Sequence, residues 1–204
     1  MSRIPRQQRA QATVAAIVEA GFICVARHGT SGTTTRHVAE VAGISVGSLY
    51  EYFPNKEAIY AAMQQRFLAD LVAVLQPQLA VISKLDIPDA VRAVLKPLQD
   101  FLQQHDARYL RYARNALNLD LRDSLEPVIR LLGDLVLQYL MQHPEYARLP
   151  RFAAMTYIFI HGGLFTVTHH LSDPNPPISF EELVDGLAHM VDHYVQREMS
   201  LNVI

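Results

Sequence analysis

The stretch TTRHVAEVAGISVGSLYEYFPNKE, residues 34–57, decides the fold of this chain. Its apolar residues recur at helical spacing up to Gly43, a residue type that readily ends a helix. Ser45 follows and is a favourable N-cap for a new helix. The pattern predicts one helix over about 36–42 and another over about 46–52, joined by a tight turn. A second helix held in this way can lie in the major groove of DNA.

The segments on either side of this stretch predict helices that support it. Before it, apolar residues at helical spacing predict a helix over about 7–27, with a loop over 28–33. After it, Asn55 can cap a helix that runs to Pro77. We expect a small shared core formed by apolar residues of these segments, namely Phe22, Val25, Val38, Val41 and Ile44.

The remainder of the chain predicts further helices, and no segment alternates polar and apolar residues as a strand would. The expected helices cover about 86–105, 106–117, 124–143, 150–171 and 179–199. The predicted fold is therefore all-α with about nine helices. We expect an N-terminal helix-turn-helix three-helix domain over 1–54 and a C-terminal helical domain over 55–204.

The composition narrows the class of protein. Half of the 204 residues are hydrophobic, and the single cysteine, Cys24, allows no intrachain disulfide. No uninterrupted apolar run reaches the length of a membrane span, and the N-terminus does not resemble a signal peptide. We therefore expect a cytoplasmic protein with no membrane partner. Residues 1–56 carry a formal charge of +3 and the remainder −5. A basic N-terminal segment is expected if that end binds a polyanion, but a charge difference of this size also occurs by chance.

The helix-turn-helix stretch resembles a known family. Its pattern, Thr-(x)3-Val-Ala-(x)2-Ala-Gly-Ile-Ser-(x)-Gly-(x)-Leu-Tyr-(x)-Tyr-Phe-Pro-Asn-Lys-Glu, resembles the DNA-binding signature of the TetR family of bacterial transcriptional regulators. The resemblance implies a homodimer, paired through its last two helices, that binds a palindromic double-stranded operator. It also implies a C-terminal domain that binds a small-molecule effector, which releases a repressor from DNA. The remaining three quarters of the chain carry no signature.

The resemblance and the helix-turn-helix geometry together indicate which residues meet DNA. Side chains that open the second helix enter the groove, and those that open the first helix meet the DNA backbone. Tyrosine hydroxyls and a lysine in the first turn of the fourth helix can reach phosphates. We expect Val46, Ser48 and Arg36 to read bases. The full predicted set is Thr34, Thr35, Arg36, Ser45, Val46, Gly47, Ser48, Tyr50, Tyr52 and Lys56.

The effector is not identified by the sequence, but aromatic and apolar residues of the central helices can line its site. Any helical core contains the same residue types. The predicted ligand-binding set is Phe101, Tyr109, Tyr112, Leu132, Tyr139, Tyr157, His161 and Phe165. Arg108, Arg111 and Arg114 can meet an anionic ligand, although such a run more often forms a solvated face.

Histidines near the C-terminus suggest a different chemistry. His189 and His193 are four residues apart, a spacing that can hold zinc on a helix. No HExxH pattern and no cysteine cluster accompany them. We therefore expect packed or interface histidines, no metal, no cofactor, no catalytic residues and no enzymatic activity.

Two alternatives remain open from the sequence. The first concerns Gly162 and Gly163, which either allow another helix to approach closely or mark a local kink. The second concerns function, because a DNA-binding adaptor or architectural protein without small-molecule control has the same N-terminal signature. An internal cavity would favour the ligand-responsive regulator.

Overall fold

The computed structural model describes residues 6–116 and 125–201. Within these two ranges nine α-helices are present and no β-strand, which confirms the predicted all-α fold. The helices are α1 (Arg6–Gly32), α2 (Thr35–Val41), α3 (Val46–Tyr50), α4 (Lys56–Leu75), α5 (Leu79–Ile82), α6 (Ile87–Ala116), α7 (Glu126–Gln142), α8 (Phe152–Ser172) and α9 (Phe180–Leu201).

The number of helices agrees with the prediction, but two helices differ from it. The helices expected over 86–105 and 106–117 form one helix, α6, because neither glycine nor proline separates them. The backbone is irregular near the expected boundary, where Ala107 has a φ of 56°. The short helix α5 was not predicted. The expected starting point of the seventh helix, Ser124, lies outside the described residues.

The loop expected over 28–33 is mostly helical. Gly29 interrupts α1 with a φ of 69° and a ψ of 174°, a conformation that glycine adopts easily, and one more helical turn follows it. The hydroxyl of Thr33, a buried side chain, donates a hydrogen bond to the Gly29 carbonyl at 2.7 Å. Gly29 therefore kinks α1 without ending it, which corrects the expected loop.

The chain divides by packing into two compact units. The first unit contains residues up to Phe67 together with α6 from Gln103 onward. The second unit contains Leu68–Leu102 and the described residues from 125 onward. Helices α4 and α6 thus contribute to both units. The functional division expected after residue 54 stays a prediction.

Phe22 is at the centre of the first unit and is fully buried. The rings of Tyr109 and Tyr112 meet it edge-on, with centroid distances of 5.1 and 4.9 Å. Val25 and Val38 are buried as expected, and Ile44 is half-buried. Val41 was wrongly placed in this core, because it is 39% exposed. It lies two positions past the buried Ala39, roughly on the opposite side of α2.

Two segments, Gln7–Gly32 and Lys56–Ile82, are long and apolar enough to cross a membrane by length and composition. The sequence-based expectation considered only uninterrupted apolar runs and did not find them. In the structure the first segment buries Phe22 completely, and the second buries Ile59 and Met63. Core helices of soluble proteins have the same length and composition, so these segments are weak evidence for a membrane.

Candidate functional site

The turn between α2 and α3 is fixed by its caps. The Thr34 hydroxyl accepts a hydrogen bond from the backbone N–H of His37 at 3.2 Å and so caps α2. Gly43 has a φ of 70°, which a residue with a side chain adopts only with strain. The Ser45 hydroxyl then caps α3 by accepting from the N–H of Ser48 at 3.0 Å. These local bonds set the direction in which α3 leaves the turn.

Helix α3 presents one face to solvent and one to the core. Leu49 is fully buried, whereas Val46 is 37% and Tyr50 50% exposed. Gly47 is exposed, and a Cβ atom built on it would lie 3.8 Å from the Ser45 hydroxyl, which is ordinary contact. Packing within the chain therefore does not require a glycine at this position. The missing side chain leaves the start of α3 accessible to the backbone of an external partner.

The first turn of α2 lies beside the exposed face of α3. The hydroxyls of Thr35 and Tyr50 are 3.3 Å apart, so the two helices present these groups together. Arg36 is exposed, and Tyr52 is half-buried just beyond α3. The Ser48 hydroxyl is 2.9 Å from that of Ser45. The predicted DNA-binding residues from Thr34 to Tyr52 thus lie on α2, on α3 and directly beside them, and Thr35 and Tyr50 join the two helices.

Lys56 lies in the first turn of α4 and is half-buried. Its ammonium group donates to the Thr30 carbonyl at 3.3 Å and lies 5.6 Å from the centroid of the Tyr60 ring. The Tyr60 hydroxyl donates to the same carbonyl at 2.7 Å. Sequence reasoning missed Tyr60, although its spacing of four residues from Lys56 on a helix could have indicated the contact.

The capped turn, the exposed short helix and the supporting α1 and α4 match a family model. Residues 17–63 match the N-terminal domain of the tetR family of bacterial regulatory proteins. Residues 17–63 therefore form an N-terminal domain of the TetR family. The predicted resemblance is therefore confirmed.

Among proteins of this family, the chain is similar to the HTH-type transcriptional regulator RutR of Escherichia coli K12. The two are 36% identical over 63 residues, which cover 31% of this chain and 30% of RutR. The similarity to this relative thus spans less than a third of either protein and says nothing about the second unit.

Solved structures of regulatory proteins resemble the chain over most of its length. One is a TetR-family regulator from Mesorhizobium loti, with a TM-score of 0.66, 14% identity and coverage of 95% of this chain and 98% of that one. Another is the fatty acid degradation regulator FadR of Bacillus halodurans, with a TM-score of 0.69, 16% identity and coverage of 94% and 96%. At such low identity these likenesses show that the fold is shared.

The second unit contains a cavity of about 280 Å³. Its walls come from the C-terminal part of α4, the N-terminal part of α6, and helices α7, α8 and α9. The lining side chains are almost all aliphatic or aromatic, and three carry a hydrogen-bonding group, namely Tyr139, Tyr146 and Thr156. A mostly apolar cavity with a few polar groups is typical of a small-molecule site.

The predicted ligand-binding residues do not all lie at the cavity. Leu132 and Tyr139 line the cavity, and the other six do not. Phe101 is buried elsewhere in the second unit, whereas Tyr109 and Tyr112 pack in the core of the first unit. The two tyrosines lie away from the cavity because α6 continues past its cavity-lining part and carries them into the first unit.

The other three predicted ligand-binding residues lie on the outer face of α8. Tyr157 is 65% and Phe165 71% exposed, and the His161 ring is 4.3 Å from that of Tyr157. The helical period places them together, as the sequence indicated, but on the side of α8 away from the cavity. Which side of a helix packs against the rest of its unit depends on tertiary contacts, and the sequence did not determine this for α8.

The glycine pair of α8 has two different surroundings. Gly163 lines the cavity, whereas Gly162 is exposed. A Cβ atom built on either glycine meets nothing within 4 Å. Sequence reasoning treated the pair as one feature and missed the cavity position of Gly163.

The histidines of α9 are exposed. The Nδ1 atom of His193 is 2.8 Å from the His189 carbonyl oxygen, a bond within the helix. Among the described residues, no group of three histidine, cysteine, aspartate or glutamate side chains is arranged to hold a metal ion.

Proposed function

We propose that this TetR-family protein is a ligand-responsive transcriptional regulator in the cytoplasm. It represses transcription by binding a palindromic operator as a homodimer, and a small-molecule effector releases it. The observation that carries the proposal is the exposed start of α3, which Ser45 caps and where Gly47 is open to solvent. A helix presented in this way is suited to the major groove.

The DNA contacts follow from the placement of the predicted residues. Val46 and Ser48 enter the groove and, with Arg36, read base edges. Tyr50 and Thr35, whose hydroxyls are 3.3 Å apart, contact neighbouring positions of the DNA backbone. Lys56 supplies a positive charge for a phosphate from the first turn of α4.

The homodimer forms through the outer faces of α8 and α9. Exposed apolar side chains are concentrated there, with Tyr157, Ile158 and Phe165 on α8 and Met190 on α9. Large apolar side chains left in water favour association, because pairing removes them from solvent. Gly162 lies on this surface with open space around it, so a partner helix can approach closely.

The cavity favours a ligand-responsive regulator over an adaptor without small-molecule control. Helices α4 and α6 line the cavity with Leu71 and Leu98 and extend into the first unit, where they contribute Ile59 and Tyr112 to its core. A ligand that shifts either helix therefore acts on both units. The ligand changes operator affinity only if it binds one of the two arrangements more tightly.

The proposal is tested by selecting operators from a random duplex library with the purified protein, followed by footprinting. We expect enrichment of a palindrome whose half-site centres lie a whole number of helical turns apart, each turn about 10 base pairs. Val46→Ala should change the selected bases, whereas Val81→Ala, an equivalent change at an exposed position outside α3, should not. A library that shows no enriched sequence would disprove operator recognition.

A further inference from the structure

The cavity of the second unit contains no charged side chain among its lining residues. Its walls are hydrocarbon apart from Tyr139, Tyr146 and Thr156. A carboxylate held against these walls would lose its hydration and find no opposite charge among the lining side chains. The lining therefore favours a molecule without a negative charge.

We call the part of the wall that holds Tyr139 and Tyr146 the polar end of the cavity, although their rings supply most of the surface there. Their rings stack with a centroid distance of 6.0 Å against a buried apolar cluster that includes Leu149 and Met155. The Tyr139 hydroxyl donates to the Leu85 carbonyl at 3.0 Å, which leaves its oxygen free to accept a hydrogen bond. Burial raises the pKa of both tyrosine hydroxyls, so both are neutral near pH 7.

The charged groups close to this polar end are mainly acidic. After burial, the carboxylates of Asp86, Glu145 and Asp192 also raise the pKa of Tyr146, which places their negative field at the tyrosine hydroxyls. His143 stacks on Tyr139 at 4.4 Å, and its Nδ1 atom is 3.7 Å from the Glu145 carboxylate. Because these nearby groups are carboxylates, the polar end disfavours an anionic group.

We infer that the cavity binds an uncharged, mostly apolar molecule and discriminates against a carboxylate of the same length. This inference rests on the proposed function, since it names the chemical class of the effector. The cavity of about 280 Å³ is nearly twice the ~150 Å³ cavity that holds benzene, which corresponds to roughly a dozen non-hydrogen atoms.

The probes are therefore 1-decanol and decanoate, which share a ten-carbon chain and differ in charge. Their binding to the full-length protein is measured at pH 8 by calorimetry and by the shift in thermal midpoint. We expect 1-decanol to bind at least tenfold more tightly than decanoate. Decanoate binding as tightly as the alcohol, or no binding of the alcohol, would overturn the inference.

Two glycine variants test whether 1-decanol binds in this cavity. Gly163→Leu places a side chain in the cavity while improving helix propensity, and it should weaken 1-decanol binding at least tenfold. Gly133→Leu makes the same change in α7, where the glycine does not line the cavity and its Cβ position is open, and it should bind the alcohol normally. Leu132→Trp is a second cavity-filling variant in case Gly163→Leu misfolds. Unchanged alcohol binding in a folded cavity-filling variant would refute the inference.

These measurements contain no DNA, so the inference and the proposed function fail separately. A protein that prefers 1-decanol but selects no operator disproves only the proposed regulator. A protein that binds an operator but takes decanoate as readily as the alcohol disproves only the assignment of an uncharged ligand.

Discussion

At the scale of single residues, Lys56 combines a structural contact with a predicted DNA contact. Its ammonium group shares the Thr30 carbonyl with the Tyr60 hydroxyl, but Lys56 alone brings a charge. We predict that Lys56→Met lowers the slope of log affinity against log salt by about one unit, because one phosphate contact is lost. The slope is measured by fluorescence anisotropy with the selected operator at several salt concentrations.

Tyr60→Phe is the matched control for that measurement. It removes the other hydrogen bond to the Thr30 carbonyl without changing the charge, so the salt slope should remain that of the unmodified protein. If Tyr60→Phe flattened the slope as much as Lys56→Met, the effect would come from the position of the Thr30 backbone, and the phosphate contact would be wrong.

Tyr112 is a buried residue whose hydroxyl group destabilises the fold. The side chain is 2% exposed, and its hydroxyl has no hydrogen-bond partner among the described residues. We predict that Tyr112→Phe raises the free energy of unfolding by about 1 kcal/mol, because an unpaired buried polar group is removed. Urea denaturation followed by circular dichroism measures the change.

Tyr60→Phe makes the same chemical change where the hydroxyl is bonded at 2.7 Å. It should lower the free energy of unfolding by about 1 kcal/mol, opposite in sign to Tyr112→Phe. Destabilisation by Tyr112→Phe would mean that this hydroxyl has a partner in solution, such as a buried water.

At the scale of helices, we expect homodimer formation through the outer face of α8 to depend on Gly162. This glycine is exposed beside Tyr157 and Phe165, whereas its neighbour Gly163 faces the cavity. We predict that Gly162→Leu weakens the proposed homodimer by roughly tenfold or more, because the new side chain keeps the partner helix away. Sedimentation at several protein concentrations measures the dimerisation constant.

Gly163→Leu is the control on the same helix, and it should leave the dimerisation constant unchanged. A dimer weakened by Gly163→Leu and unaffected by Gly162→Leu would place the interface on the opposite side of α8. The sequence alone does not make this distinction, because both glycines belong to the same apolar segment.

At the scale of the whole molecule, the shared helices α4 and α6 predict that ligand and operator affect each other's binding. Saturating 1-decanol should lower operator affinity by a factor of about 5 to 150, and operator should lower alcohol affinity by the same factor. Anisotropy titrations with and without the alcohol give the first factor, and calorimetry with and without operator gives the second.

Gly163→Leu should bind operator normally and lose the response to the alcohol. Operator affinity that stays constant at saturating 1-decanol in the unmodified protein would contradict the coupling. It would favour the adaptor that the sequence also allowed.

The sequence by itself determined the helix-turn-helix, the all-α class and the resemblance of the N-terminal domain to the TetR family. These features depend on local chemistry: Ser45 and Thr34 cap helices through bonds that span three residues, and Gly43 adopts a backbone conformation that other residues avoid. Such signals need no knowledge of distant contacts, so residues 34–57 could be interpreted correctly before the structure was known.

The tertiary structure alone decided where the cavity lies and which side of each helix faces it. Tyr112 and Tyr139 are both aromatic residues at helical spacing, but one fills the core of the first unit and the other lines the cavity of the second. Gly162 and Gly163 differ in the same way. Helical periodicity groups residues onto a face, but it does not say which face is covered, because that depends on helices distant in sequence.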